Sequence, residues 1–222
     1  MAIDQINREV FNIWEKHCNP CDDILVPLMY YPPLKTDGLL FIGINPSFTS
    51  ESYADVGKEF FHWSNRTNFD LEKDAAIEKN NRRDLLYFRK FKEIAEYVNL
   101  NWESIDLLFW RETKLENIKK RFFVSQKPDK PNAFAADQLL LSDKLIRFAT
   151  PRLVVVVNAF AAHIMINRLS LHFDDKLGCH IGNIGSRSVP IFLVSMLSGQ
   201  RALDVYSYQR LKWHIKQVLN HI

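Results

Sequence analysis

Residues 153–169 read LVVVVNAFAAHIMINRL. The run that opens this stretch is apolar and largely β-branched, with none of the polar alternation of a half-exposed strand. It predicts a strand over 153–157 covered on both faces. Pro151 stands at its start, where a missing N–H is tolerated. Residues 159–169 continue directly as a helix, so a strand feeds a helix with almost no loop between them. This is the unit from which parallel α/β sheets are built.

Three further runs have the same character: 39–44 (LLFIGI), 105–110 (IDLLFW) and 189–194 (VPIFLV), the last with Pro190 at its start. Helical stripes lie between and around them. Ile3, Ile6, Val10, Ile13 and Trp14 form one stripe, and Phe91, Ile94, Ala95 and Val98 another. Leu141, Leu145, Ile146 and Ala149 form a third, and Leu211, Ile215, Val218, Leu219 and Ile222 the last. The alternation predicts an α/β fold, a three-layer α/β/α sandwich on a central, mostly parallel four-stranded sheet. No repeat, low-complexity tract or linker divides the chain. A single domain over 1–222 is expected, with 1–24 as an N-terminal helix and lead-in.

Two segments depart from this pattern. Residues 48–84 form a long polar insertion that includes EFFHWSNR and the charged stretch DLEKDAAIEKNNRRD, which predicts a surface helix. Residues 177–188 (LGCHIGNIGSRS) hold three of the seven Gly and read as an irregular lead into the last strand.

Composition excludes several classes. Of 222 residues, 47% are hydrophobic and 25% charged, and 16 Phe, 5 Trp and 7 Tyr supply a sizeable core. Disorder, collagen-like repeats and small disulfide scaffolds do not fit. The longest uncharged run, 153–167, is shorter than the roughly 20 apolar residues of a membrane span, so no membrane is expected. Met1 leads straight into the first helical stripe, so no export segment is expected. With 3 Cys and no sign of secretion, the reading is a cytoplasmic protein in a reducing compartment. A formal charge of +3 is compatible with nucleic acid without demanding it. Basic residues gather at Arg82, Arg83, Arg89, Lys90, Lys119, Lys120, Arg121, Lys127 and Lys130, interleaved with Phe88, Phe91, Phe122 and Phe123. Such a face suits phosphate contacts, and equally a solvated helix surface.

In an open parallel sheet, ligands bind outside the carboxyl ends of the strands. After the first strand comes Gly43-Ile44-Asn45-Pro46-Ser47, and after the last comes Ser195-Met196-Leu197-Ser198-Gly199-Gln200-Arg201. Neither matches the dinucleotide fingerprint or the phosphate-binding lysine loop. The residues themselves permit glycosidic chemistry. Asn45 offers a side-chain oxygen that can orient a water, although it cannot take the proton as Asp would. Ser198 and Gly199 precede a helix, where a hydroxyl and free N–H groups can hold a phosphate. Read without function, Asn45-Pro46 is a strand-ending turn and Ser198-Gly199 a helix entry.

GINPS at the end of the first strand resembles the first motif of the uracil-DNA glycosylase superfamily. It is most similar to the GINPG of the mismatch-specific and thymine-DNA glycosylase branch. MLSGQR after the last strand stands where that superfamily has its second motif (HPS, NPS or MPS), and PRLVVVVNAFAAH is similar to its third strand and following helix. The resemblance implies a monofunctional DNA glycosylase acting in base excision repair, a hydrolase that removes a damaged or deaminated base flipped out of DNA. It implies Asn45, Ser198 and Met196 as the catalytic positions. Gly43, Ile44, Pro46, Ser47, Gly199, Gln200 and Arg201 would line the substrate, with Phe88 or Phe61 stacked on the base. Met196 stands where most branches place a His or Asn donor, and Leu197 where they place Pro. The superfamily's pyrimidine-reading Asn has no clear counterpart in LLFWRETK, Asn158 and Asn183 being the nearest other amides. The implied partner is DNA, the expected state a monomer, and no cofactor is called for.

Two other readings compete. One is a non-catalytic nucleic-acid-binding module on the same fold, and the other a hydrolase of small nucleosides or nucleotides. The pair Cys18 and Cys21 opens like the four-Cys cluster of some relatives. Cys179 is the only other thiol, so a Cys-ligated cluster is incomplete. A zinc site would need His17 or His180 as well. Free thiols and no metal are the expectation.

Overall fold

A computed structural model of the chain describes residues 3–19, 23–30, 34–49, 57–65, 73, 76–80, 85–199 and 202–222. These fall into two compact units whose segments interleave along the sequence. One comprises 1–34, 45–85 and 106–142, and the other 35–44, 86–105 and 143–222.

The second unit carries the sheet. Its strands are β1 (Leu39–Gly43), β2 (Trp102–Asp106, whose last residue belongs to the first unit), β3 (Leu153–Val156), β4 (His172–Asp174), β5 (Cys179–Ile184) and β6 (Arg187–Leu193). They lie in the order β2-β1-β3-β6-β5-β4. β1, β3 and β6 run parallel, with Leu40 beside Val154 and Val155 beside Phe192, while β4, β5 and β6 pair antiparallel. The sheet is therefore mixed and six-stranded, not four-stranded and mostly parallel.

Of the two extra strands, β5 comes from the segment expected to be irregular, 177–188, and β4 lies just before it. Gly185, at φ 63°, opens a two-residue turn between Ile184 and Arg187, which pair with each other. A glycine at the first turn position suits a tight hairpin. Gly182 sits inside β5, where a Cβ would lie 2.5 Å from Leu171 and 2.9 Å from Ile191. What looked like loop glycines are thus a hairpin turn and a close side-chain crossing. The same hairpin moves the start of β6 back to Arg187, so Pro190 lies inside the strand opposite Ile181; Ile191, Phe192 and Leu193 pair parallel with β3.

One face of the sheet presents Leu39, Phe41, Val155 and Phe192 to helices α2 (Arg89–Val98) and α6 (Val205–His221), with Phe91, Ile94, Leu211 and Ile215 filling the core between. Phe41 stacks on Phe91 at 4.3 Å between centroids. Helix α5 (Ala159–Leu169) follows β3 as expected, and Leu169 lies over Gly182 of β5. Its cap is Asn158, whose side chain accepts from the N–H groups of Phe160 and Ala161. That satisfies the donors of the second and third helical residues, two of the orphan N–H groups at the helix start.

The first unit is mainly helical. Helix α1 (Ile3–His17) buries Ile6, Val10 and Trp14. Asn7, also buried, is satisfied by a reciprocal pair with the backbone of Tyr30, at 2.8 and 2.9 Å. Helix α3 (Leu115–Phe122) supplies Phe122, and α4 (Ala133–Ala149) begins in this unit with Phe134. Trp14, Trp110, Phe122 and Phe134 form an aromatic cluster with centroids 5.1–5.9 Å apart. Residues 107–110, expected to be strand, are buried but irregular. The Phe109 N–H donates to the Gln138 side chain, and its carbonyl accepts from the Leu28 N–H, so side chain and loop replace the ladder. The expected surface helix in the insertion is helical at Lys73 and 76–80, and the rest of 66–84 lies outside the described residues. No helix among the described residues is long and apolar enough to cross a membrane.

Candidate functional site

In the second unit, parallel pairing brings the carboxyl ends of β1, β3 and β6 to one edge. The Val157 N–H donates to the Ile42 carbonyl and the Val194 N–H to the Val156 carbonyl, both at 2.9 Å. Gly43 and Ile44 therefore share this edge with residues 194–199, and Asn158 lies there too. Its amide oxygen is committed to the α5 cap. Asn183 is instead an exposed residue of β5, beside the turn.

The loop after β6 is held from inside by Leu197, which is buried in the core cluster. The Leu203 N–H donates to the Met196 carbonyl at 2.9 Å and the Ala202 N–H to the Gly199 carbonyl at 3.1 Å. Gly199 takes φ 84°, a left-handed conformation that favours glycine. With Leu197 inward, Met196 and Ser198 are both half-buried. The Ser198 hydroxyl is buried and finds no hydrogen-bond partner among the described residues. An unmet buried hydroxyl costs about 1–3 kcal/mol, so a further partner for this atom would stabilise the loop. Gln200 and Arg201 lie outside the described residues. Asp204 closes the loop by capping α6. Its hydrogen bonds from the Ser207 hydroxyl and the N–H groups of Ser207 and Tyr206 hold its carboxyl below the usual range.

Asn45 and its neighbours belong to the first unit. The Asn45 Nδ2 faces three carbonyl oxygens: Pro46 at 3.0 Å, Trp110 at 3.1 Å and Glu112 at 2.6 Å. This fixes which end of the amide is which, because an oxygen there would meet three acceptors and no donor. Oδ1 must then point the other way, and it accepts no hydrogen bond among the described residues. The same loop is stitched to residues 110–113 twice more. The Glu112 N–H donates to the Pro46 carbonyl at 3.0 Å and the Thr113 hydroxyl to the Phe48 carbonyl at 2.9 Å. Glu112 in turn uses its carboxylate on the Lys114 N–H and the Asn117 side chain. The result is a half-buried amide, rigidly oriented, with one acceptor available. Ser47 beside it is exposed.

The two aromatic candidates differ. Phe61 is fully buried against Phe48, Phe60 and the Arg111 guanidinium, so no ring face is open to a base. Phe88 is half-buried, packed edge-on to Phe91 and tilted on Trp102. Among the basic residues, Arg121 lies over the Trp110 ring at 4.1 Å, Lys119 pairs with Glu116 and Arg89 with Glu93. Lys120, Lys127 and Lys130 are exposed, and Arg82 and Arg83 lie outside the described residues. Cys21 lies outside them as well. Cys18 is buried in the first unit, and Cys179 in the core of the second, where burial pushes its thiol up to about 11. Among the described residues, no group of His, Cys, Asp and Glu is placed to hold a metal ion.

The sequence reading passed over Arg111. Its side chain is buried and pairs with Glu78 at 2.6 Å, while Nε donates to the Val26 carbonyl. A charged residue that continues an apolar run, as Arg111 continues 107–110, is itself a signal of a partnered buried charge. Comparison of the chain with models of known protein families and with curated proteins finds no match.

Proposed function

We propose that the protein is a DNA glycosylase that hydrolyses the N-glycosidic bond of a damaged or deaminated base in base excision repair. The observation that carries this reading is the Asn45 amide, held by three carbonyl oxygens so that Oδ1 stands as a fixed acceptor within GINPS, two residues after the end of β1. In this reading Oδ1 accepts a hydrogen bond from the attacking water. The C1′–N bond breaks with its electron pair leaving on the base, and the water oxygen bonds to C1′. The water's proton passes to solvent, because an amide does not take it. The resemblance assigns the flanking phosphate to Gly199 and to Ser198, whose hydroxyl has no partner among the described residues, and the aromatic platform to Phe88. The protein acts on DNA as a monomer. Strands β2, β1, β3 and β6 then correspond to the superfamily's four-stranded sheet, with the β5–β4 hairpin an addition at its edge.

One observation favours the non-catalytic alternative. Met196 is half-buried, and the resemblance puts its thioether where most branches have a hydrogen-bond donor to the departing base anion. The test separates the two. Oligonucleotides carrying uracil, hypoxanthine, xanthine or hydroxymethyluracil are incubated with the protein and abasic sites are cleaved with alkali. Release from at least one, reduced about 100-fold or more by Asn45→Ala, supports the glycosylase. Binding without release from any of them supports the module.

A further inference from the structure

Helix α6 turns Tyr208, Leu211, Ile215 and Val218 into the core. Its opposite side is unusual in what it leaves outside. Tyr206 is 79% exposed and Trp213 56%, with exposed Arg210 between them. Residues 206, 210 and 213 lie within about 60° of one another around the helix, and Tyr206 and Trp213 are about 10 Å apart along it. No Asp or Glu occurs in 205–222, whereas Arg210, Lys212 and Lys216 do. The Lys212 and Lys216 ammonium groups both sit 4.9 Å from the ring of Tyr97 on α2, itself 40% exposed. The carboxylates nearby are Glu93, engaged by the Tyr208 hydroxyl and Arg89, Glu96 at the end of α2, and Asp204 in its cap. Arg210 makes no ion pair or hydrogen bond among the described residues.

We infer that this face of α6 binds single-stranded nucleic acid, with Tyr206 and Trp213 stacking on two bases and Arg210 meeting a phosphate between them. Exposed rings separated by cations on an acid-free helix supply both halves of what a single strand offers, π-faces and negative charge. Charge points to the occupant: a stretch with Arg210, Lys212 and Lys216 and no Asp or Glu over 205–222 is complementary to a polyanion, and a protein partner for the same rings is an outcome the salt series and the alanine variants exclude or reveal. An in-plane membrane helix is disfavoured, since the apolar stripe of α6 is already buried in the core. The inference goes beyond base excision and does not require it.

The test is fluorescence anisotropy of the full chain with labelled dT20 and rU20, neither of which needs to be cleaved. Binding to either probe is expected to weaken with salt and to drop at least about fivefold in Trp213→Ala and in Tyr206→Ala. Trp213→Phe, which keeps a ring, stays within about twofold of the wild type, and Arg210→Gln lowers the salt slope. Circular dichroism confirms that each variant is folded. No binding to either probe, equal affinity of the wild type and both alanine variants, or a loss in Trp213→Phe as large as in Trp213→Ala would overturn the inference. Failure of base release with this pattern intact would count against the excision chemistry alone.

Discussion

Asn45→Asp puts the orientation of the Asn45 amide to a direct test. The change is nearly isosteric, yet it replaces a donor that faces three carbonyl oxygens with an acceptor. The two amide hydrogens can make two good bonds and share a third, and each intramolecular bond is worth about 1 kcal/mol net. Asn45→Ala should therefore cost about 2 kcal/mol, or about 4–8 °C in Tm for a chain of this size. Asn45→Asp should cost more at neutral pH, because a carboxylate then meets the negative ends of three carbonyl dipoles. Its carboxyl would titrate above the ordinary value of about 3.9 in the folded state. A raised carboxyl destabilises above its folded pKa and ceases to do so below the unfolded value. The gap between Asn45→Asp and Asn45→Ala must then close as pH falls toward 4. Urea unfolding followed by tryptophan fluorescence at pH 7 and pH 4 gives both numbers. An Asp variant as stable as the wild type at pH 7, or more stable than Asn45→Ala there, would show that the amide is turned the other way. Oδ1 would then face the carbonyl cluster and have no acceptor to offer.

Three further outcomes follow from the packing. Arg111→Met should lower stability by about 3–5 kcal/mol in urea unfolding, because it strands the Glu78 carboxylate and the Val26 carbonyl together. Gly182→Ala should cost about 1–3 kcal/mol by overpacking against Leu171 and Ile191, whereas Gly185→Ala meets no neighbour and should cost about 1–2 kcal/mol through its positive φ alone; thermal melts of the two variants check the order. The Asp137 carboxyl is held below its usual value by hydrogen bonds from His17 and Lys16, so its contribution is present above the unfolded pKa and lost as pH falls through the lower folded one. Asp137→Asn should therefore destabilise at pH 6, with a penalty that shrinks to nothing once pH is below the folded value.

The parallel part of the sheet was legible because β1, β3 and β6 are buried on both faces, and burial on both faces leaves continuous apolar runs. The hairpin was not, since Gly182 and Gly185 make β5 look like a loop; only the Cβ clash and the turn dihedral show why they are glycines. Residues 107–110 misled for the opposite reason. They are as apolar as a strand, but Gln138 and Leu28 satisfy the Phe109 backbone, and sequence pattern carries no information on such distant partners. Asn45 could be picked out from its place after a strand. Its three carbonyl partners could not, because Trp110 and Glu112 lie more than sixty residues away in the chain. Phe61 shows the limit of choosing a stacking ring by type: a Phe suits a base and a core equally, and this one is core.

In the proposed glycosylase reading the Asn45 Oδ1 directs water at a glycosidic carbon, and the resemblance leaves Met196, a thioether, where a donor would assist the departing base. Single-turnover release of 5-fluorouracil and uracil from otherwise identical single-stranded oligonucleotides tests both parts together, in the wild type and in Asn45→Ala under conditions where the variant is folded. Without an assisting donor, the rate must lean on the acidity of the base itself, so 5-fluorouracil should leave at least about tenfold faster than uracil, and both rates should fall about 100-fold or more in Asn45→Ala. Equal rates for the two bases, or release that survives Asn45→Ala, would contradict the account.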